Sequence, residues 1–100
     1  MLTQDECRRL LDKITGYVGR YGGLFERWYV GIATDPRHRL FEEHGVSEES
    51  EPWIFLKTSS EEVGHQVMEA LLHRGMLGGR GWADGDGSFV YAFRGAPEAA

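Results

Sequence analysis

From Arg27 to Ala33 the chain is rich in aromatic and β-branched residues, with Trp28, Tyr29, Val30 and Ile32, and it then switches at once to Thr34-Asp35-Pro36. The first run favours a half-buried pleated strand. The second opens a helix. Thr34 or Asp35 can cap the first free N–H groups, and Pro36 suits a first turn, where its missing N–H is not needed. A strand must therefore turn sharply into a short helix, which Gly45 ends.

Those elements alternate. Cys7, Leu10, Leu11, Ile14 and Val18 recur at helical spacing behind a Thr3–Glu6 capping box, and Gly19, Gly22 and Gly23 close the helix. After the short helix, Ser47 to Glu51 reads as an acidic solvated loop and Trp53 to Lys57 as a second strand. Ser59 and Glu62 form another capping box, opening a helix with Val63, Val67, Ala70 and Leu71 on its apolar face and Gly75 as its stop. Gly78 to Gly87 is a glycine-rich connection, and Ser88 to Phe93 alternates as a last strand. The order is α-β-α-β-α-β without an internal repeat. It predicts one α/β (α+β) domain over residues 1–100, with a small three-stranded sheet, antiparallel or mixed, flanked by helices, and a frayed tail over 96–100.

Charge and cysteine content narrow the setting. Eleven Lys and Arg against 16 Asp and Glu leave a net charge of −5, which weighs against tight polyphosphate binding and leaves a protein partner open. Arg37 and Arg39 are the most suggestive basic pair. The single cysteine, Cys7, reads as a small core residue and allows no internal disulfide. With no secretory pattern at the N-terminus and no apolar run long enough for a membrane, a cytoplasmic protein is expected.

The strand–turn–helix junction is also where chemistry gathers. Tyr29 and Gly31 lie on one face of an alternating strand, and Gly31 leaves that face open beside the tyrosine. Arg39 falls in the first turn or so of the helix, and His44 follows five residues on. Around a gap, these three groups suit a phosphodiester reaction. Tyrosine can hold or deprotonate the attacking water, arginine can neutralise the pentavalent oxygens, and histidine can assist proton transfer.

Trp28 to His44 resembles the second half of the GIY-YIG nuclease signature. In that family a Tyr-Ile-Gly strand leads through a short loop into a helix with a functional arginine and often a histidine. Tyr29-Val30-Gly31 matches the second motif, Arg39 falls at the arginine spacing, and His44 sits near the histidine. The resemblance covers 17 residues well and extends less closely over the next strand and helix. It implies a GIY-YIG-like fold with an added N-terminal helix, and a metal-dependent DNA endonuclease using Mg²⁺ or Mn²⁺.

Three departures accompany it. The family's first motif, Gly-Ile-Tyr on a preceding strand, has no counterpart before Tyr29. Its metal-binding glutamate aligns with Met68, and Glu69 stands one residue, or roughly 100° of helix, away. The chain contains no asparagine to match one that some members carry late in the domain. The last strand offers a repair: paired beside Trp28 to Ile32, it would present Tyr91 where the first motif's tyrosine belongs. The candidate site is then Tyr29, Arg39, His44 and Tyr91 as catalytic groups, Gly31, Arg37 and Trp82 as binding groups, and Glu69 as a metal ligand. The alternative is a non-catalytic scaffold that binds a protein or nucleic acid around Trp28, Arg37, Arg39 and Trp82. A weaker third reading is self-association through the apolar face of the first helix. Asp84 and Asp86 lack the further ligands of a calcium loop, and His65 and His73 are too far apart for paired metal ligands.

Overall fold

The computed structural model describes residues 2–78 and 89–95, and the side chains from Asp5 onward. Helix α1 spans Leu2–Arg20, strand β1 Trp28–Ala33, β2 Trp53–Lys57, helix α2 Glu61–His73, β3 Leu77–Gly78 and β4 Phe89–Arg94. The sheet is mixed and ordered β2-β4-β1-β3. It has four strands where three were expected, because Leu77 and Gly78 pair in parallel with Tyr29 and Val30 at the edge. Two residues carry too little alternation to be read as a strand from the sequence. The last strand is central: β4 runs antiparallel to both β1 and β2.

Alternation on the strands divides the hydrophobic residues between two faces. Trp28, Val30, Ile32, Val90 and Ala92 meet α1 and α2 through Leu10, Ile14, Val18, Val63, Val67, Met68 and Leu71. The apolar stripe of α1 is consumed there, so it is not a surface for self-association. Tyr29, Ala33, Tyr91, Phe93, Trp53 and Phe55 face the other way and pack with Leu40, Phe41 and Val46. No helix among the described residues is long and apolar enough to cross a membrane.

The caps differ from the capping-box pattern. Ser60, not Ser59, is the N-cap of α2, accepting from the Val63 N–H at 3.3 Å. Ser59 instead donates through its backbone N–H and its hydroxyl to the Glu6 carboxylate, at 2.8 and 2.5 Å. Glu6 therefore clamps α1 to the end of β2 and is not a capping-box partner of Thr3, which lies inside α1. Tyr17 works at the other end of β2, where its hydroxyl accepts from the Trp53 N–H at 3.3 Å. Together they occupy donors near both ends of an edge strand that would otherwise invite pairing.

Cys7 is half-buried against the core and donates to Gln66 Oε1 at 3.1 Å. Burial pushes its thiol pKa up, with Glu6 and Glu62 adding to the effect, so the thiolate is disfavoured. The fold makes a direct prediction about α2. Ser60→Ala leaves the Val63 N–H uncapped and should lower unfolding stability by about 0.5–2 kcal/mol in a urea melt. A Glu62→Ala change, which the capping-box reading would make equally costly, should cost clearly less.

Candidate functional site

The site is built from the β1–β4 pair and the turn that follows β1. Gly31 stands directly opposite Tyr91 in the antiparallel register, and Tyr29 opposite Phe93. The gap left by Gly31 is not open, as the sequence suggested. The Tyr91 ring fills it: a Cβ on Gly31 would lie 2.5 Å from the Tyr91 hydroxyl oxygen and 2.7 Å from Cζ. Tyr29 stacks on Phe93 with ring centroids 5.3 Å apart. β3 closes its far side, where a Cβ on Gly78 would come within 2.9 Å of Tyr29 Cζ.

The turn after β1 supplies the polar groups. Asp35 Oδ1 accepts from the His38 N–H at 3.2 Å, as expected of a capping carboxylate. The helix then widens into a π-helical stretch over His38–Glu43. The Arg39 carbonyl accepts from the His44 N–H at 2.9 Å, an i→i+5 bond. This matters for the site. In an α-helix five residues advance roughly 500°, leaving the first and last roughly 140° apart. An i→i+5 bond closes about one turn instead, which brings Arg39 and His44 to one side. The stretch ends where the Val46 N–H reaches the Leu40 carbonyl at 2.9 Å and Gly45 takes φ 72°, a conformation that glycine adopts without steric cost.

His44 is the hub. Its Nε2 lies 3.0 Å from the Tyr91 hydroxyl. Its ring is 4.8 Å from Tyr29, 4.8 Å from Phe93 and 5.7 Å from Tyr91, centroid to centroid. Burial pulls its pKa below the ordinary 6.5, the Arg39 charge pulls the same way, and Glu43 opposes them. The neutral imidazole is therefore favoured in the fold. Arg39 is bound by Glu43 at 2.9 Å, and the other carboxylate oxygen of Glu43 lies 3.4 Å from His38 Nδ1.

Tyr29, Gly31, Arg39, His44 and Tyr91 thus come together. Exposure sorts them. Tyr91 is only 2% exposed, whereas Tyr29, Arg39 and His44 are half-buried. Arg37 points elsewhere, exposed and ion-paired with Glu48 at 2.8 Å. Trp82 lies outside the described residues, as do Asp84, Asp86 and the tail over 96–100. Glu69 is exposed on α2, and α2 packs on the opposite face of the sheet from Tyr91 and His44. Among the described residues, no three His, Cys, Asp or Glu side chains gather where they could hold a metal ion. The carboxylate beside the cluster, Glu43, already serves Arg39. The described residues around the cluster do not make a fitted site for Mg²⁺ or Mn²⁺, and no step below runs through one.

Two members were not read from the sequence. Glu43 sits four residues after Arg39, the spacing of a helical ion pair, and that spacing could have identified it. Phe93 shares a face with Tyr91 by strand alternation but becomes a partner of Tyr29 only through the β1–β4 register, which the sequence does not display. No family model matches the chain, and neither a curated protein nor a solved structure matches it.

Two outcomes check this geometry. Gly31→Ala drives a Cβ into a buried ring that has little room to yield, and should lower stability by about 1–3 kcal/mol in a denaturant melt. The pH dependence follows from His44. Its folded pKa lies below 6.5, so just below 6.5 the unfolded chain binds more protons than the folded one. Stability should therefore be full above that value and fall as pH drops towards the folded pKa. His44→Gln should remove this part of the profile, and an unchanged profile in the variant would show that His44 is not its source.

Proposed function

We propose that this chain is a divergent GIY-YIG-like domain whose cluster of Tyr29, Arg39, His44 and Tyr91 acts on a phosphodiester, with DNA as the substrate. One observation carries the reading: Tyr91 stands opposite Gly31 with its hydroxyl 3.0 Å from His44 Nε2. The last strand thereby supplies, beside the Tyr-Val-Gly strand, a tyrosine of the kind that the family carries on a strand preceding it. In this reading Tyr29 orients the attacking water at the half-buried rim. His44, held neutral, accepts its proton. Arg39 stabilises the charge that develops on the phosphoryl oxygens, exchanging part of its contact with Glu43 for the substrate. Tyr91 is too buried to touch substrate and serves as a positioning residue that fixes the His44 ring. The lone cysteine supports a reducing, cytoplasmic setting.

A second reading is a scaffold that binds a protein or nucleic acid without cleaving it. It is favoured by the position of Glu69 on an exposed helix face and by the commitment of Glu43 to Arg39. A cleavage assay separates the two. Purified protein is incubated with supercoiled and single-stranded DNA in the presence of Mg²⁺ or Mn²⁺. Arg39→Ala and His44→Ala should each lower cleavage by about 100-fold or more, and Tyr29→Phe by about tenfold or more. Tyr91→Phe, which keeps the ring and loses only the hydroxyl, should lower the rate less than His44→Ala and shift its pH profile. Cleavage indifferent to Arg39→Ala would remove these roles. No cleavage by pure protein at any metal concentration would favour the second reading.

A further inference from the structure

A cleft of about 370 Å³ lies at the end of the sheet, outside the cluster above, between the C-terminal end of α1 and the strand ends of β1 and β4. Its walls are Tyr21, Leu24, Arg27, Trp28 and Arg94. Tyr21 and Leu24 are 41% and 52% exposed, and they are two of the three large hydrophobic side chains that stand open to solvent among the described residues. Arg27 makes no ion pair among the described residues. The Arg94 guanidinium makes a single hydrogen bond, to the Tyr21 carbonyl at 3.3 Å, which ties it to the cleft and leaves most of its donors open. The buried indole N–H of Trp28 has no hydrogen-bond partner. Four acidic groups, Glu26, Glu48, Glu49 and Glu51, line the adjoining stretches of the groove, which share Arg27, Arg94 and Tyr21 with this corner, while no carboxylate lines the corner itself.

Two arginines beside an exposed aromatic ring and an aliphatic side chain match a particular ligand chemistry. Guanidinium forks take phosphate oxygens, and an open aromatic face takes a flat base by stacking. We infer that this corner binds single-stranded nucleic acid, with a backbone phosphate on Arg27 and Arg94 and a base against Tyr21. The negative charge of the chain as a whole makes such binding local and weak rather than diffuse. The acidic stretch beside it confines the strand to one end of the groove. The inference goes beyond the proposed activity, since it needs no cleavage and no metal.

The test uses the full chain and a fluorescein-labelled oligothymidylate of about ten nucleotides, in a chelator and at low salt. Anisotropy should report saturable binding. Arg27→Glu and Tyr21→Ala should each weaken it by roughly tenfold. Arg27→Gln should lower the salt dependence by about one phosphate contact. Lys57→Glu, the same charge change on an exposed residue of β2, should leave the affinity close to that of the parent protein. Amide spectra of each variant confirm that it folds. No binding at millimolar protein, or equal weakening by Lys57→Glu, overturns the inference. Occupation of the cleft by a short peptide carboxylate but not by the oligonucleotide overturns it too and assigns the corner to a protein terminus. Because the assay contains no metal, its failure leaves the Tyr29–His44 reading standing, and failure of cleavage leaves this one standing.

Discussion

The close approach of Tyr91 to the bare backbone of Gly31 is the contact on which the rest of the arrangement rests. Any side chain at residue 31 would collide with the ring. With glycine there, the ring lies down across the neighbouring strand and its hydroxyl reaches His44. That one contact joins the strand β1 and the turn that leaves it to the distant last strand of the chain. It also sets the register, since a slip of one residue between β1 and β4 would turn Tyr91 to the helical face and put Val90 or Ala92 in its place.

The sidedness of the sheet follows from the same register. One face is mostly aliphatic around Trp28 and covered by two helices, and burial there is the main hold on the fold. The other face is aromatic and, among the described residues, is covered by one short π-helical stretch and the loop after it. Aromatic rings can be buried in stacked pairs while keeping a polar edge in reach of a partner. That face can therefore carry a histidine and two tyrosines without leaving them stranded. Widening the helix at Arg39 has the same logic. A π-helical stretch forfeits the better hydrogen-bond geometry of an α-helix, and here it brings Arg39 and His44 to one side, with the imidazole against the rings.

Much of this was legible in the sequence, for identifiable reasons. Strands β1 and β2 and helices α1 and α2 announce themselves through aromatic content and apolar period, and Asp35-Pro36 marks the start of the turn. Tyr29, Arg39 and His44 were placed together by spacing, and Tyr91 by the family resemblance, which asked for a tyrosine on a strand paired beside Trp28 to Ile32. Other features were invisible because they are non-local. The role of Ser59 depends on Glu6, 53 residues earlier in the chain. β3 exists only because Leu77 and Gly78 find an open edge. The hole at Gly31 looked empty because nothing local fills it. The π-helix could not be read, since over six residues its apolar spacing does not differ from that of a short α-helix.

The exposures of the two tyrosines divide the work between them. A side chain that is 2% exposed cannot meet a phosphodiester, so under the proposed reading Tyr91 can act only through His44. Tyr29 lies at the rim, with its ring held by Phe93 and His44. Both tyrosines therefore converge on one imidazole, one from beneath and one from the side. Burial and the Arg39 charge keep that imidazole neutral. A neutral imidazole can accept a proton at one nitrogen while its other nitrogen is engaged, so holding the ring fixes which nitrogen is free. The catalytic reading and the binding reading part at this point. A site made only to grip an anion would gain from a protonated His44 beside Arg39, whereas the surroundings drive the proton off.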